Sequence, residues 1–110
     1  MLKNSILANC EFNEAKPAIT LLMETSFSKE IRIAFLEGQV MKEHQTPFPI
    51  TVEIVEGSIH FGVAGTVHEL VKGDIISLDG GVPHDLKAIG KSIVRLTLSK
   101  LDSVKRVESI

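Results

Sequence analysis

The sequence has a single cysteine and neither tryptophan nor tyrosine. Because Cys10 has no second cysteine to pair with, no internal disulfide can form, which is typical of proteins of a reducing compartment. Aromatic residues make up only 5% of the chain, so it lacks the stacking platforms on which many proteins bind bases or sugar rings. These absences argue against a secreted disulfide scaffold and against a stacking-based nucleic-acid binder.

The chain also lacks an excess of positive charge and a long apolar run. Its 12 Lys and Arg residues and 14 Asp and Glu residues give a formal net charge of −2, and the basic residues are scattered. No stretch approaches the roughly 20 apolar residues of a membrane span, and residues 1–17 lack the apolar core of a signal peptide. We therefore expect a cytoplasmic protein with no nucleic-acid or membrane partner.

Apolar and polar side chains alternate along several short segments, which is the pattern of half-buried β-strands. In segment 30–36, for example, Ile31, Ile33 and Phe35 share one face. The same period predicts strands over 51–55 and 92–98, and segment 19–24 also reads as a strand. Because glycine and proline turns separate these strands and no helices alternate with them, an all-β barrel or sandwich is indicated.

A β-hairpin is predicted over residues 58–70, with Ala64-Gly65 as its two-residue turn. The expected register pairs Ile59 with Leu70, Phe61 with His68, and His60 with Glu69. One face of the hairpin is then largely apolar, with His68 at its rim. The other face is solvated and carries His60.

The C-terminal residues break the strand pattern. We predict a short helix over 100–108, started by a capping box formed by Ser99 and Asp102. Its apolar residues recur at a spacing of three: Leu101, Val104 and Val107.

Two segments resemble the paired motifs of the cupin family, G(X)5HXH(X)3–4E(X)6G and G(X)5PXG(X)2H(X)3N. The first segment, residues 38–57, reads GQVMKEHQTPFPITVEIVEG, and the second, residues 73–88, reads GDIISLDGGVPHDLKA. The matching positions are Gly38, His44 and Gly57 in the first motif, and Gly73, Gly81 and His84 in the second. The resemblance implies an antiparallel double-stranded β-helix, the cupin or jelly-roll barrel.

The resemblance further implies one cupin domain over residues 1–110. Its motif core spans about 30–98, with strands over 17–29 before it and a tail over 99–110 after it. Cupins of this size usually pair, so the resemblance also implies a homodimer.

In cupins, three histidines and one glutamate usually hold a divalent metal, and here half of that set is replaced. Thr46 stands at the position of the second histidine, and Ile50 stands at the position of the glutamate. His44 and His84 are therefore the only metal ligands that the resemblance carries over. Such a pair leaves two alternatives for the cofactor: none, or a divalent metal (Zn, Mn, Fe or Ni) at partial occupancy. Since Ile50 has the strand parity of Val52 and Ile54, it is expected to extend the core.

Three functions stay open at this point. The first is small-molecule binding in a mostly apolar pocket lined by His44, Thr46, Phe48, Ile50 and His84, with the two histidines as polar anchors. The second is a metal-dependent enzyme, such as a dioxygenase or an isomerase, with an incomplete ligand set. The third is a structural or interaction protein whose histidines are relics.

Two expectations about geometry follow from the motifs. The side chains of His44 and His84 should lie within about 4–8 Å of each other inside the barrel, the span over which two imidazoles share an ion, a water or a ligand. The segment Pro47-Phe48-Pro49 is either a bend at a sheet edge or a rigid lip that carries Phe48 into the pocket.

Overall fold

A computed structural model describes residues 1–110 and contains nine strands and one short helix. In chain order these elements are β1 (Ala18–Glu24), β2 (Ser28–Phe35), β3 (Val40–His44), β4 (Ile50–Glu56), β5 (Ser58–Val63), β6 (Thr66–Val71), β7 (Ile75–Leu78), β8 (His84–Ala88), β9 (Ser92–Ser99) and α1 (Val104–Glu108). Each of the segments predicted as strands coincides with one of these, except that segment 30–36 runs one residue past the end of β2. The structure has no helix of the length and apolar character that crossing a membrane requires.

The strands form two sheets, in the orders β1-β2-β9-β4-β7 and β3-β8-β5-β6. Every strand pairing is antiparallel, which confirms the predicted all-β antiparallel architecture. Each motif crosses from one sheet to the other, because β3 and β8 lie in the four-stranded sheet while β4 and β7 lie in the five-stranded sheet. Both motifs therefore contribute strands to both of the sheets that enclose the interior.

The core is built from the apolar faces that the alternation predicts. Ile31 and Phe35 of β2 are fully buried, and so are Ile54 of β4 and Val94 of β9. Between them the two sheets bury 15 of the 16 residues of this core, and Val107 of α1 supplies the remaining one. The contribution of α1 shows that the C-terminal residues close one part of the interior.

The hairpin of β5 and β6 has the predicted register, with Ile59 opposite Leu70 and Phe61 opposite His68. At its turn, Ala64 has φ 51° and Gly65 has φ 78°. Two consecutive positive φ angles are the signature of a type I′ turn, whose twist matches that of the flanking strands.

The prediction of a half-buried strand is wrong for β2, which is buried on both faces. Its outward-facing residues Arg32 and Ala34 are 5% and 1% exposed. The Arg32 guanidinium donates hydrogen bonds to the carbonyl oxygens of Ile6 at 3.2 Å, Ala8 at 3.1 Å and Asn9 at 3.3 Å. The N-terminal residues thus cover the outside of the five-stranded sheet.

The C-terminal helix is present, but it starts four residues later than predicted and lacks the predicted capping box. Its N-cap is Ser103, whose side chain makes no capping hydrogen bond. The hydroxyl of Ser99 instead accepts a hydrogen bond from the backbone N–H of Leu101 in a local turn. The carboxylate of Asp102 accepts hydrogen bonds from Thr46, Ser103 and Arg106. Leu101 is 77% exposed, so of the apolar series only the helical residues Val107 and, in part, Val104 pack against the core.

Candidate functional site

His44 and His84 lie side by side on neighbouring strands. His44 is the last residue of β3 and His84 is the first residue of β8, and the two are direct partners in the antiparallel register. Their ring centroids are 4.2 Å apart, and the rings meet edge to face with an interplanar angle of 65°. The predicted proximity of the two side chains is therefore confirmed.

Each imidazole is oriented by a backbone carbonyl two residues before it. The Nδ1 atom of His44 lies 2.7 Å from the carbonyl oxygen of Lys42, and the Nδ1 atom of His84 lies 2.9 Å from that of Val82. Because a carbonyl oxygen only accepts, both Nδ1 atoms carry the proton, and in the neutral rings both Nε2 atoms keep a free lone pair. The site consequently presents two hydrogen-bond acceptors.

The free Nε2 atoms are not sealed inside protein. Neither makes a hydrogen bond, and yet the structure contains no buried side-chain nitrogen or oxygen without a partner. Both Nε2 atoms therefore touch space that a water-sized probe reaches.

The two histidines line a small apolar pocket between the sheets. Nine of the twelve residues that line it are hydrophobic, among them Ile50 and Val52 of β4 and Leu86 of β8. Its volume is only about 20 Å³, enough for one water molecule. Pockets that hold small-molecule ligands usually measure about 300–1,000 Å³, so in this conformation the interior is closed.

The other predicted pocket residues divide into one that lines the pocket and two that do not. Ile50 is 4% exposed and forms part of the wall, as expected from its strand parity. Thr46 and Phe48 are absent from the lining, which corrects the sequence-based assignment. Thr46 is buried, but its hydroxyl donates a 2.6 Å hydrogen bond to the Asp102 carboxylate instead of facing the histidines.

The loop that carries Phe48 is a fixed bend outside the pocket. The backbone N–H of Gly81, from the second motif, donates to the carbonyl oxygen of Thr46 at 2.6 Å. At Gly80, a side chain would lie 2.2 Å from the carbonyl oxygen of Pro47, so glycine allows the two motif loops to pack this closely. Of the two interpretations of Pro47-Phe48-Pro49, the structure supports the bend.

The sequence prediction missed residues that complete the site. Phe61 of β5 is 1% exposed and stacks on His84, with ring centroids 5.5 Å apart and planes 10° from parallel. Arg106, Val107 and Ile110 of the C-terminal segment line the pocket. The spacing of apolar residues in this segment was the only signal of its docking, and nothing in the sequence showed where it docks.

Asp102 anchors the C-terminal segment through a dense set of hydrogen bonds. Its carboxylate accepts two bonds from the Arg106 guanidinium, at 2.9 and 3.0 Å, as well as the Thr46 hydroxyl and the Ser103 backbone N–H. Burial raises the pKa of the Asp102 carboxyl, but the hydrogen bonds from Arg106, Thr46 and Ser103 outweigh it and lower the pKa overall. The carboxylate is therefore charged at neutral pH.

Burial makes the two histidines poor bases. The pKa of His44 is lowered, first by desolvation and then by the positive charge that His84 and Arg106 place nearby, against the opposing hydrogen bond to Lys42. The pKa of His84 is lowered in the same way, first by desolvation and also by Arg106, against the hydrogen bond to Val82. Both rings are neutral at pH 7, with the Nε2 lone pairs available.

The lowered pKa values of His44 and His84 predict that the protein loses stability in mild acid. Below pH 6.5 the unfolded chain binds protons at both histidines, whereas the folded protein resists them, so the free energy of unfolding falls as pH decreases. The fall begins near pH 6.5 and ends at the lower pKa values of the folded state. Urea unfolding at pH 7 and pH 5 should show the wild-type protein less stable at pH 5.

Variants separate this effect from other titrations. His44→Gln and His84→Gln should each reduce the stability difference between pH 7 and pH 5. Asp102 and Glu30 have lowered pKa values too, but their stabilisation is lost only below about pH 4. If the stability difference between pH 7 and pH 5 were the same in the wild-type protein and in both pocket variants, it could not be assigned to His44 and His84.

The residues at the site do not fit a resident metal of the kind that cupins usually hold. No group of three or more His, Cys, Asp or Glu side chains is arranged to bind a metal ion. A catalytic zinc site needs about three protein ligands and an open position. Here the hydroxyl of Thr46 is committed to Asp102, and Ile50 offers only hydrocarbon, so the chain supplies two ring nitrogens.

Known structures with the same architecture cover nearly the whole chain. An RmlC-like cupin from Desulfovibrio desulfuricans superposes with a TM-score of 0.83 at 20% identity, over 91% of this chain and 97% of that one. A cupin superfamily protein from Desulfitobacterium hafniense gives 0.79 at 17% identity, over 90% and 97%. A Klebsiella pneumoniae protein described as having a double-stranded β-helix domain gives 0.79 at 20% identity, over 90% and 85%.

No protein-family model matches the sequence, and no curated protein matches it. The structural likeness nevertheless establishes the fold: the chain adopts the RmlC-like cupin fold that its two motifs suggest. Because this fold carries many activities, the function has to be argued from the site.

Proposed function

We propose that this cupin-fold protein binds a small molecule with an apolar body and one hydroxyl or N–H group that donates a hydrogen bond. The observation that carries the proposal is the pair of Nε2 lone pairs on the wall of an apolar pocket. Both Nδ1 protons are already used by the carbonyls of Lys42 and Val82. The histidines can therefore accept hydrogen bonds from a ligand but cannot donate any.

The electrostatics of the pocket support a neutral ligand of this kind. An anion would meet two lone pairs. A buried cation would meet the guanidinium of Arg106, whose charge lowers the pKa of both histidines, while the charge of Asp85 acts in the opposite direction. A hydroxyl group avoids both penalties, while its hydrocarbon body packs against Ile50, Val52 and Leu86. Apolar walls with a few placed polar groups are the usual composition of ligand sites.

Phenol and toluene form a matched pair of probes, since they share a ring and differ in the donating group. In the ¹⁵N-labelled protein, phenol should shift the Nε2 resonances of His44 and His84 and leave those of His60 and His68 unchanged. Phenol should bind about 3–10-fold more tightly than toluene, the ratio expected for one hydrogen bond. His84→Leu should reduce this preference, and His60→Leu should retain it.

The same experiment distinguishes the other functions. If neither probe binds and the site histidines do not respond, the interaction protein with relic histidines becomes the better description. If native mass spectrometry of freshly purified protein shows one divalent metal per chain, the metal-dependent enzyme moves to first place. The homodimer implied by the family resemblance remains a prediction, which the same mass spectrum checks.

A further inference from the structure

We propose that residues 101–110, here called the plug, form a displaceable segment that controls entry to the histidine pocket and is latched by Thr46. The inference rests on the proposed function, because it concerns access to that same pocket. Arg106, Val107 and Ile110 of the plug line the pocket, and Val107 is 2% exposed. The plug therefore fills space that a ligand would need.

The plug also separates the pocket from a larger cleft on the outside. A cleft of about 310 Å³ lies between the plug and residues 11–20, and Met41, Val107 and Ile110 line both the cleft and the pocket. Moving Val107 and Ile110 would join the two spaces into one of the size that small molecules occupy. The pocket thus has a route to solvent that the plug side chains Val107 and Ile110 obstruct together with Met41 of β3.

Few bonds hold the plug in place. The only backbone–backbone hydrogen bond between residues 101–110 and a strand is a local one, from the N–H of Asp102 to the carbonyl oxygen of Ser99 at the end of β9. A five-residue helix is not stable on its own. Apart from the local bonds to Ser99, the polar links to the strands and their loops are two: the Thr46 hydroxyl donates to the Asp102 carboxylate, and the Lys29 ammonium donates to the Asp102 carbonyl oxygen.

Of the two positions that lack their metal ligands, one bonds to the plug and the other lines the same pocket as plug side chains. Thr46, at the position of a histidine in the cupin motif, donates to Asp102 at 2.6 Å. Ile50, at the position of the glutamate, lines the pocket together with Val107 and Ile110. Both substitutions suit the docking of the plug, because a histidine would lack the short hydroxyl that reaches Asp102 and a glutamate would place a charge against apolar side chains.

Chemical modification of the histidines tests this without any ligand. Diethyl pyrocarbonate reacts with unprotonated imidazole nitrogen and is too large for a 20 Å³ pocket. In the wild-type protein, His44 and His84 should react much more slowly than the exposed His68. Thr46→Val keeps the side-chain shape but removes the latch, so both site histidines should react about tenfold faster, with His68 unchanged.

Two further variants make the result specific. Thr51→Val is the matched control, because it makes the same change on β4 where the hydroxyl forms no hydrogen bond, and it should not alter any rate. Val107→Ala weakens the apolar contacts of the plug rather than the latch. It should also increase the rates at which His44 and His84 react with diethyl pyrocarbonate. Urea unfolding of each variant checks that the faster reaction exceeds what global unfolding produces.

The outcomes separate the plug from the proposed function. If His44 and His84 react as fast as His68 in the wild-type protein, or if Thr46→Val changes no rate, the plug does not control access. If they become accessible but phenol binds to neither protein, the plug stands and the binding proposal fails. If the plug controls access and the pocket binds phenol, Thr46→Val should bind phenol about tenfold more tightly than the wild-type protein, because a larger fraction of its molecules has the plug displaced.

Discussion

Ile50→Glu should destabilise the protein by about 3–5 kcal/mol at pH 7, because it places a carboxylate in an apolar pocket where the one cationic side chain, Arg106, is already paired with Asp102. Zinc should then restore much of this loss, since His44, His84 and the new carboxylate together form a His₂Glu set of the kind that holds Zn²⁺. Free zinc at about 100 times the dissociation constant should add about 2.7 kcal/mol. Urea unfolding after chelator treatment, with and without zinc, measures both effects.

Ile54→Glu is the matched control for this experiment. Ile54 lies on the same strand and is 0% exposed, but it does not line the histidine pocket. Its variant should lose at least as much stability and gain nothing comparable from zinc. If zinc stabilised the parent protein equally, the two histidines would already bind metal tightly. If zinc did not stabilise Ile50→Glu, the side chain at position 50 would be too far from the two histidines to share a metal ion with them.

Phe61→Ala should cost about 3–5 kcal/mol, because it empties the space of a buried aromatic ring in the core. The ring of Phe61 packs flat against His84, so the variant should also loosen the histidine and narrow the stability difference between pH 7 and pH 5. Domains of this size are stable by about 5–15 kcal/mol, so the urea midpoint should fall by a large fraction.

Phe27→Ala removes the same side chain from a position that is 75% exposed, and its stability should change by no more than about 0.5 kcal/mol. If Phe61→Ala does not fold, Phe61→Leu removes less volume and should show the same direction of change. A Phe61 variant as stable as the Phe27 variant would contradict the packing described for the pocket wall.

The local patterns of the chain were sufficient to predict the strands and most of the core. Ile31, Ile33 and Phe35 alternate because successive side chains of a strand point to opposite faces, and all three are buried. The Ala64-Gly65 turn fixed the hairpin register, since a two-residue turn leaves only one pairing. These predictions succeeded because both depend on residues within a few positions of one another.

The predictions that failed depend on segments distant in sequence. Segment 30–36 was predicted to be buried on one face only, but on its other face Arg32 is covered by carbonyl groups from residues 6–9, which accept its hydrogen bonds. Thr46 was placed in the pocket from its motif position, but its hydroxyl bonds to Asp102, which lies 56 residues further along the chain. No periodicity or spacing within a short window encodes such contacts.

The sequence by itself determined the strand-forming segments, the paired cupin motifs and the loss of two metal-ligand positions, because these follow from residue type and local spacing. Only the tertiary structure decided what replaced the lost ligands. The antiparallel register of β3 and β8 sets the two imidazoles 4.2 Å apart, and the packing of the C-terminal residues reduces their pocket to the size of one water molecule. The distance between the imidazoles and the size of the pocket both depend on segments that are distant in sequence and pack against one another in the same interior. Close packing there allows only one arrangement of these segments.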